Sequence, residues 1–133
     1  MLFRSDRGAD VIFVAAGATN LGVLQAAHDA GKLAIGADAD QNGIQPGSVL
    51  TSMVKRVDVA VYEALKSARA GRFRAGLVTL GLKEGGVDWA LDSYNRALVS
   101  PAVEARIEEA KAAIGAGSLA VADYTRTDSC PVQ

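Results

Sequence analysis

Two charged side chains stand where a sugar could be recognised. Asp38 directly follows the apolar run Lys32 to Ala37, so a rigid strand end would present a carboxylate able to accept two hydrogen bonds from a vicinal diol. Lys55 comes just after the next β-rich stretch, Ser48 to Met53. An ammonium there would donate to the same hydroxyls and partly neutralise the carboxylate. A local role is open for each: Asp38 could cap loop amides or pair with a surface lysine, and Lys55 could be an ordinary solvated side chain.

Other constellations lack a part. Gly17-x-x-x-x-Gly22 has the glycine spacing of a phosphate loop, but Val23 replaces the lysine and no Ser or Thr follows. A dinucleotide fingerprint needs glycine where Thr19 stands, although Asp38 does lie about twenty residues beyond the turn, as that fold requires. Asp38-x-Asp40-x-Asn42-Gly43 copies the start of a calcium loop, yet Val49 takes the place of the closing glutamate and strands flank it. His28 is the only histidine, and no serine or cysteine stands at a triad spacing, so it reads as an exposed helix residue. No catalytic residue, metal or cofactor is assigned. Trp89, Tyr94 and Tyr124 could stack on a base but read as packing residues.

The elements that would position Asp38 and Lys55 alternate between strand and helix. Asp10 to Ala16 reads as a central buried strand because Val11 to Val14 are consecutive β-formers. A turn offering Thr19 or Asn20 as N-cap leads to a helix, Leu21 to Ala30, with Val23, Leu24, Ala27 and Ala30 on one face before Gly31 ends it. Lys32 to Ala37 is the second strand, making a βαβ unit. The loop 38–47 and the strand Ser48 to Met53 follow. Val57, Ala60, Val61, Ala64, Leu65 and Ala68 then predict an amphipathic helix packed on the sheet. Gly76 to Leu82 reads as a further strand, and Gly85-Gly86 as a backbone position intolerant of a side chain. Ser100-Pro101 starts a last helix, with Val103, Ile107, Ala110 and Ile114 on one stripe ending at Gly115. A short strand, Leu119 to Ala122, precedes the tail. In an open parallel sheet, ligands bind beyond the carboxyl ends of the strands, where the 17–22 turn and the 38–42 loop both emerge.

Composition narrows the partners. The 133 residues suit a single domain spanning 1–133, and they show no internal repeat. Fourteen basic and fifteen acidic side chains give a net charge of -1, too little positive field to hold nucleic acid. One cysteine, Cys130, closes no internal disulfide. The start, Met1 to Arg7, lacks the apolar run of a signal peptide, so the chain as written is expected to be cytoplasmic.

Four stretches together carry a family likeness: Gly8-Ala-Asp-Val-Ile-Phe13 with Ala16-Gly-Ala-Thr-Asn-Leu-Gly22; Ala34-Ile-Gly-Ala-Asp-Ala-Asp-Gln41; Val49-Leu-Thr-Ser-Met-Val-Lys-Arg-Val-Asp-Val-Ala-Val-Tyr62; and Leu80-Gly-Leu-Lys-Glu-Gly-Gly-Val87. The chain resembles the carboxyl-terminal lobe of the basic membrane protein (BMP) family, purine-nucleoside receptors of the type I periplasmic binding fold that serve ABC importers. Asp123-Tyr124 and Ser129-Cys-Pro131 are similar to the tail of some members.

The resemblance implies an α/β Rossmann-like lobe that performs no chemistry and works with an ABC permease. Its ligand would be a purine nucleoside, with Asp38 and Lys55 on the ribose hydroxyls and Ala15, Ala16 and Gly17 lining the pocket. The family works outside the cytoplasm, periplasmic or membrane-anchored. Two residues depart from its pattern: Asn20 ends a stretch that usually reads Gly-Gly-Thr-Gly, and Ala37 stands where valine is common. Family members are longer and close a first lobe over the ligand. That amino-terminal lobe is expected to be absent here, leaving weak binding and a face through which the chain could self-associate. A Rossmann-type nucleotide-binding domain or enzyme, and a non-binding interaction module, are the alternatives.

Overall fold

The computed structural model describes residues 7–124 and Asp128. Four strands form one sheet in chain order: β1 Val11–Phe13, β2 Leu33–Asp38, β3 Val49–Lys55 and β4 Val87–Trp89. The first three run parallel, and β4 lies antiparallel to β3. Around them stand a 3-10 turn, Gly17–Thr19, and three helices: α1 Asn20–Asp29, α2 Val57–Arg69 and α3 Pro101–Ala116. The expected α/β architecture is present, as a mostly parallel sheet.

The β1-α1-β2 unit forms for the reasons the sequence suggests. Gly31 adopts a φ of +62° just past α1, a conformation that glycine takes without strain, and so the helix stops there. Leu24 and Ala27 of α1 bury against Ala34 of β2 and Val49 of β3, and these four make the core cluster. Full burial of Leu24 contributes about 2 kcal/mol. Two details differ from expectation. Ala30 is exposed rather than part of the buried face, and neither Thr19 nor Asn20 caps the helix through its side chain as predicted; Thr19 makes no side-chain cap bond, and Asn20 is buried inside the first turn.

Several expected strands change. β1 covers only Val11–Phe13 of the predicted 10–16 run and lies at an edge of the described sheet, with Val11 and Phe13 exposed, so it is not central. An apolar run reads as doubly buried, but a strand needs a neighbour on each side to be so. The predicted strands Gly76 to Leu82 and Leu119 to Ala122 are irregular instead. The fourth strand is β4, which follows the Gly85-Gly86 pair. Those glycines behave as expected: Gly85 has a φ of +69°, and a Cβ on Gly86 would sit 2.6 Å from the Leu80 carbonyl oxygen. Helix α2 is as long as its periodicity predicts, yet it buries no residue. Its apolar stripe is therefore not packed on the sheet.

Helix α3 begins as predicted, with the Val103 N–H donating to Ser100 Oγ at 3.3 Å and proline in the first turn. It runs past Gly115 to Ala116, where Gly117 caps it at φ +76°. Two polar contacts tie it to β4: Lys111 Nζ to Asp88 Oδ1 at 2.7 Å, and Trp89 Nε1 donating to Glu108 Oε1 at 2.8 Å. Partial burial opposes ionisation of Asp88, but the Lys111 ammonium and the Trp89 N–H outweigh it and hold the carboxyl below its ordinary value. The Lys111 ammonium is raised, chiefly by its hydrogen bond to Asp88.

A depressed carboxylate contributes stability that is present above its unfolded value of 3.8 and lost as pH falls through the lower folded value. Asp88→Asn is therefore expected to destabilise at neutral pH, and its deficit relative to the parent protein should close below about pH 4. Thermal melts across that range check it. A deficit that stays constant in acid would assign the loss to packing rather than charge.

Candidate functional site

Parallel neighbours end at the same edge of a sheet, and this brings Asp38 and Lys55 together. The register pairs Asp38 of β2 with Val54 of β3, so Lys55 lies one residue further along. Its Nζ is 2.6 Å from Asp38 Oδ1, with the two side chains 58% and 48% exposed. An ion pair this open contributes only about 0–1 kcal/mol, so it does little for the fold. Asp38 is also held at a φ of +74°, the left-handed region, which costs a residue with a Cβ on the order of 1 kcal/mol. A carboxylate and an ammonium in one pair retain further acceptor and donor capacity. The edge therefore presents both to an incoming hydroxyl.

A buried hydrogen-bonded network below this edge fixes the backbone of the Asp38 loop. The Gln41 N–H donates to Ser52 Oγ at 2.9 Å, and Gln41 Oε1 accepts from the Ala37 N–H at 3.1 Å. Ser52 Oγ donates to Asn42 Oδ1 at 2.8 Å, and Asn42 Nδ2 reaches Asp92 Oδ2 at 3.1 Å. Asn95 Nδ2 donates to the Leu50 and Ala90 carbonyls at 3.0 and 2.9 Å, while its Oδ1 accepts from the Asp92 N–H at 2.8 Å. No buried side-chain nitrogen or oxygen among the described residues lacks a partner. Gly36 makes room for this network, since a Cβ there would stand 2.7 Å from Gln41 Oε1 and 2.9 Å from Ser52 Oγ. Partial desolvation opposes ionisation of Asp92, but the Tyr94 N–H and the Asn42 amide outweigh it and lower its carboxyl.

The Ala15, Ala16 and Gly17 segment leaves β1 at the same edge and is exposed. Asn20 anchors it: the Ala16 N–H donates to Asn20 Oδ1 at 2.8 Å, and Asn20 Nδ2 approaches Gln41 Oε1 at 3.5 Å. One buried amide thus links the 15–17 segment to the Asp38 loop. Ala15 and Ala16 also border a cleft of about 570 Å³ that runs along β1 with Val11, Phe13 and Val23. Asp38 and Lys55 lie outside that cleft.

The remaining candidates settle into structural places. Asp40 Oδ1 accepts from the Asn42 N–H at 3.0 Å, a local turn contact, and Asn42 is fully buried. His28 is exposed on α1 as expected, with its Nδ1 2.8 Å from Ser48 Oγ. Trp89 is half-buried against α3. Tyr94 is half-exposed with its ring against Gly43, and Tyr124 is mostly exposed rather than packed. Cys130 and the Ser129 to Pro131 stretch lie outside the described residues.

Gln41 and Asn95 carry no role in the sequence analysis, and Asn20 and Asn42 carry theirs there only as a helix cap and as part of a calcium-loop pattern. Their signal is faint but present: Asn42 directly precedes Gly43, and Ser52 interrupts an apolar strand at a buried position.

An open, mostly parallel sheet with its candidate site at the strand ends is the architecture of type I periplasmic binding proteins. Residues 2–121 match the family of ABC transporter substrate-binding proteins described as PnrA-like, and the chain belongs to that family. An uncharacterized lipoprotein of Pyrococcus abyssi is 45% identical over 97 residues, covering 68% of this chain and 24% of the lipoprotein. A crystal structure described as a transcriptional activator of the comK gene from Bacillus halodurans superposes with a TM-score of 0.76 at 25% identity, over 98% of this chain and 42% of that one. An ABC transporter solute-binding protein from Aeropyrum pernix K1 gives 0.73 at 29% identity, over 95% and 44%. The chain thus spans about a quarter of the curated relative's length and less than half of either solved structure. No helix among the described residues is long and apolar enough to cross a membrane.

Proposed function

We propose that this chain supplies the carboxyl-terminal half of a solute site for a purine nucleoside, delivered to an ABC permease without chemical change. The observation that carries the reading is the Asp38–Lys55 pair at adjacent strand ends. It offers a rigidly placed acceptor and donor to a vicinal diol, contributes little to stability, and sits on a residue of strained backbone. Ala15, Ala16 and Gly17 would form the neighbouring wall, held by Asn20. The family membership supports a solute-binding role; the ribose is inferred from the paired charges and from the BMP resemblance. The proposed place of work is outside the cytoplasmic membrane, as for the family.

A nucleoside resting on this face alone would keep much of its surface in water, whereas good small-molecule sites bury most of the ligand. Weak binding by the single lobe is therefore the expectation. Calorimetric titration with inosine, guanosine and adenosine should give dissociation constants weaker than micromolar, and Asp38→Ala or Lys55→Ala should remove the signal. Folded protein that shows no heat with any of the three at millimolar ligand, or binding indifferent to Asp38→Ala, overturns the reading.

A further inference from the structure

Helix α2 presents an apolar stripe that the described residues leave uncovered. Val57, Val61 and Leu65 recur at four-residue spacing on one face and are 64%, 53% and 65% exposed. The segment that follows the helix does not cover them: Phe73, Val78 and Leu80 instead border a hollow with Ala60 and Ala64, on the adjoining flank of α2.

Charge along the stripe is ordered by position. Asp58 lies in the first turn and Arg69 in the last, about three turns apart, so both fall on the same border of the stripe. A parallel neighbour of the same sequence would gather both Asp58 side chains at one end of the pair and both Arg69 side chains at the other, with no Asp58 facing an Arg69. An antiparallel one sets Asp58 against Arg69 at both ends, with Val61 opposite Leu65 between them. The two helix dipoles then also oppose.

We propose that a second copy of this chain covers the stripe, α2 packing antiparallel on α2 about a twofold axis near Glu63. Such an interface is self-complementary, as a twofold dimer requires. Neither Asp38 nor Lys55 is part of it. Asp58 already accepts from Arg56 Nη2 at 2.8 Å and Nε at 3.0 Å, and its two oxygens have acceptor capacity left for the second copy's Arg69. The mixed signs bordering the stripe, with a net charge of -1, favour a protein partner over an anionic membrane surface.

Sedimentation velocity from low micromolar to near-millimolar protein tests this. The expected result is a concentration-dependent shift from monomer to dimer that Leu65→Glu abolishes while circular dichroism shows the helix retained. Asp58→Arg and Arg69→Asp should each weaken the dimer by about tenfold, because each turns two attractive pairs into two repulsive ones. The double variant, Asp58→Arg with Arg69→Asp, should restore most of the affinity. A monomer at every concentration overturns the proposal. Dimers indifferent to Leu65→Glu, or single swaps without rescue by the double, overturn it equally.

Discussion

Asn95→Ala is expected to lower the unfolding free energy by about 3 kcal/mol. Asn95 is fully buried, and its side chain serves three backbone groups: the Leu50 and Ala90 carbonyls and the Asp92 N–H. Ala90 keeps a partner, because Thr51 Oγ1 also donates to its carbonyl at 2.8 Å. Leu50 and Asp92 lose Asn95 outright, and each abandoned buried group costs roughly 1–3 kcal/mol. Asn95→Asp separates this cause from packing. It keeps the volume but turns the donor into an acceptor facing two carbonyls, so it should be at least as damaging. Urea unfolding with an unchanged m-value is the measurement. An aspartate variant as stable as the parent would mean that shape, not hydrogen bonding, holds the loop.

The same residues show what the sequence does and does not reveal. Asp38 and Lys55 were legible because their placement needs only two adjacent parallel strands, and such strands end at one edge by construction. The first strand, turn and helix were legible for a similar reason, since Val11 to Phe13 and Gly31 carry strong local signals. The network beneath them was not. Asn95 finds Leu50 across forty-five positions, and no local pattern announces which buried amide will meet which carbonyl.

Strand prediction failed for a related reason. Gly76 to Leu82 is apolar enough to be a strand, but a strand exists only where a ladder partner takes its backbone groups, and that is a property of the whole fold. Val87–Trp89 succeeds with only three residues and an acid in the middle because β3 offers Lys55, Val54 and Met53 as partners. Helix α2 shows the complementary limit. Periodicity identifies the face to be covered, while its cover is decided by what lies nearby.

Gly86→Ala is expected to destabilise by about 2–3 kcal/mol and to displace Lys55. A Cβ at position 86 would lie 2.3 Å from Leu80 Cβ, 2.6 Å from the Leu80 carbonyl oxygen and 2.8 Å from its carbonyl carbon. Two of these three atoms are backbone, so no rotamer change relieves the contact. The turn cannot simply open, because the Gly86 N–H donates to the Gly81 carbonyl at 2.9 Å and the Gly86 carbonyl accepts from the Arg56 N–H at 2.8 Å. Any shift is passed to the start of β4, where Val87 pairs with Lys55. Stability and the site should therefore suffer together. Adding Leu80→Gly removes only the side-chain contact, so it should recover little of the loss. Full recovery in that double variant would show that the backbone approach is not what reserves position 86 for glycine. Chemical-shift changes at Lys55 in the single variant would report the displacement directly, and their absence would separate the turn from the site.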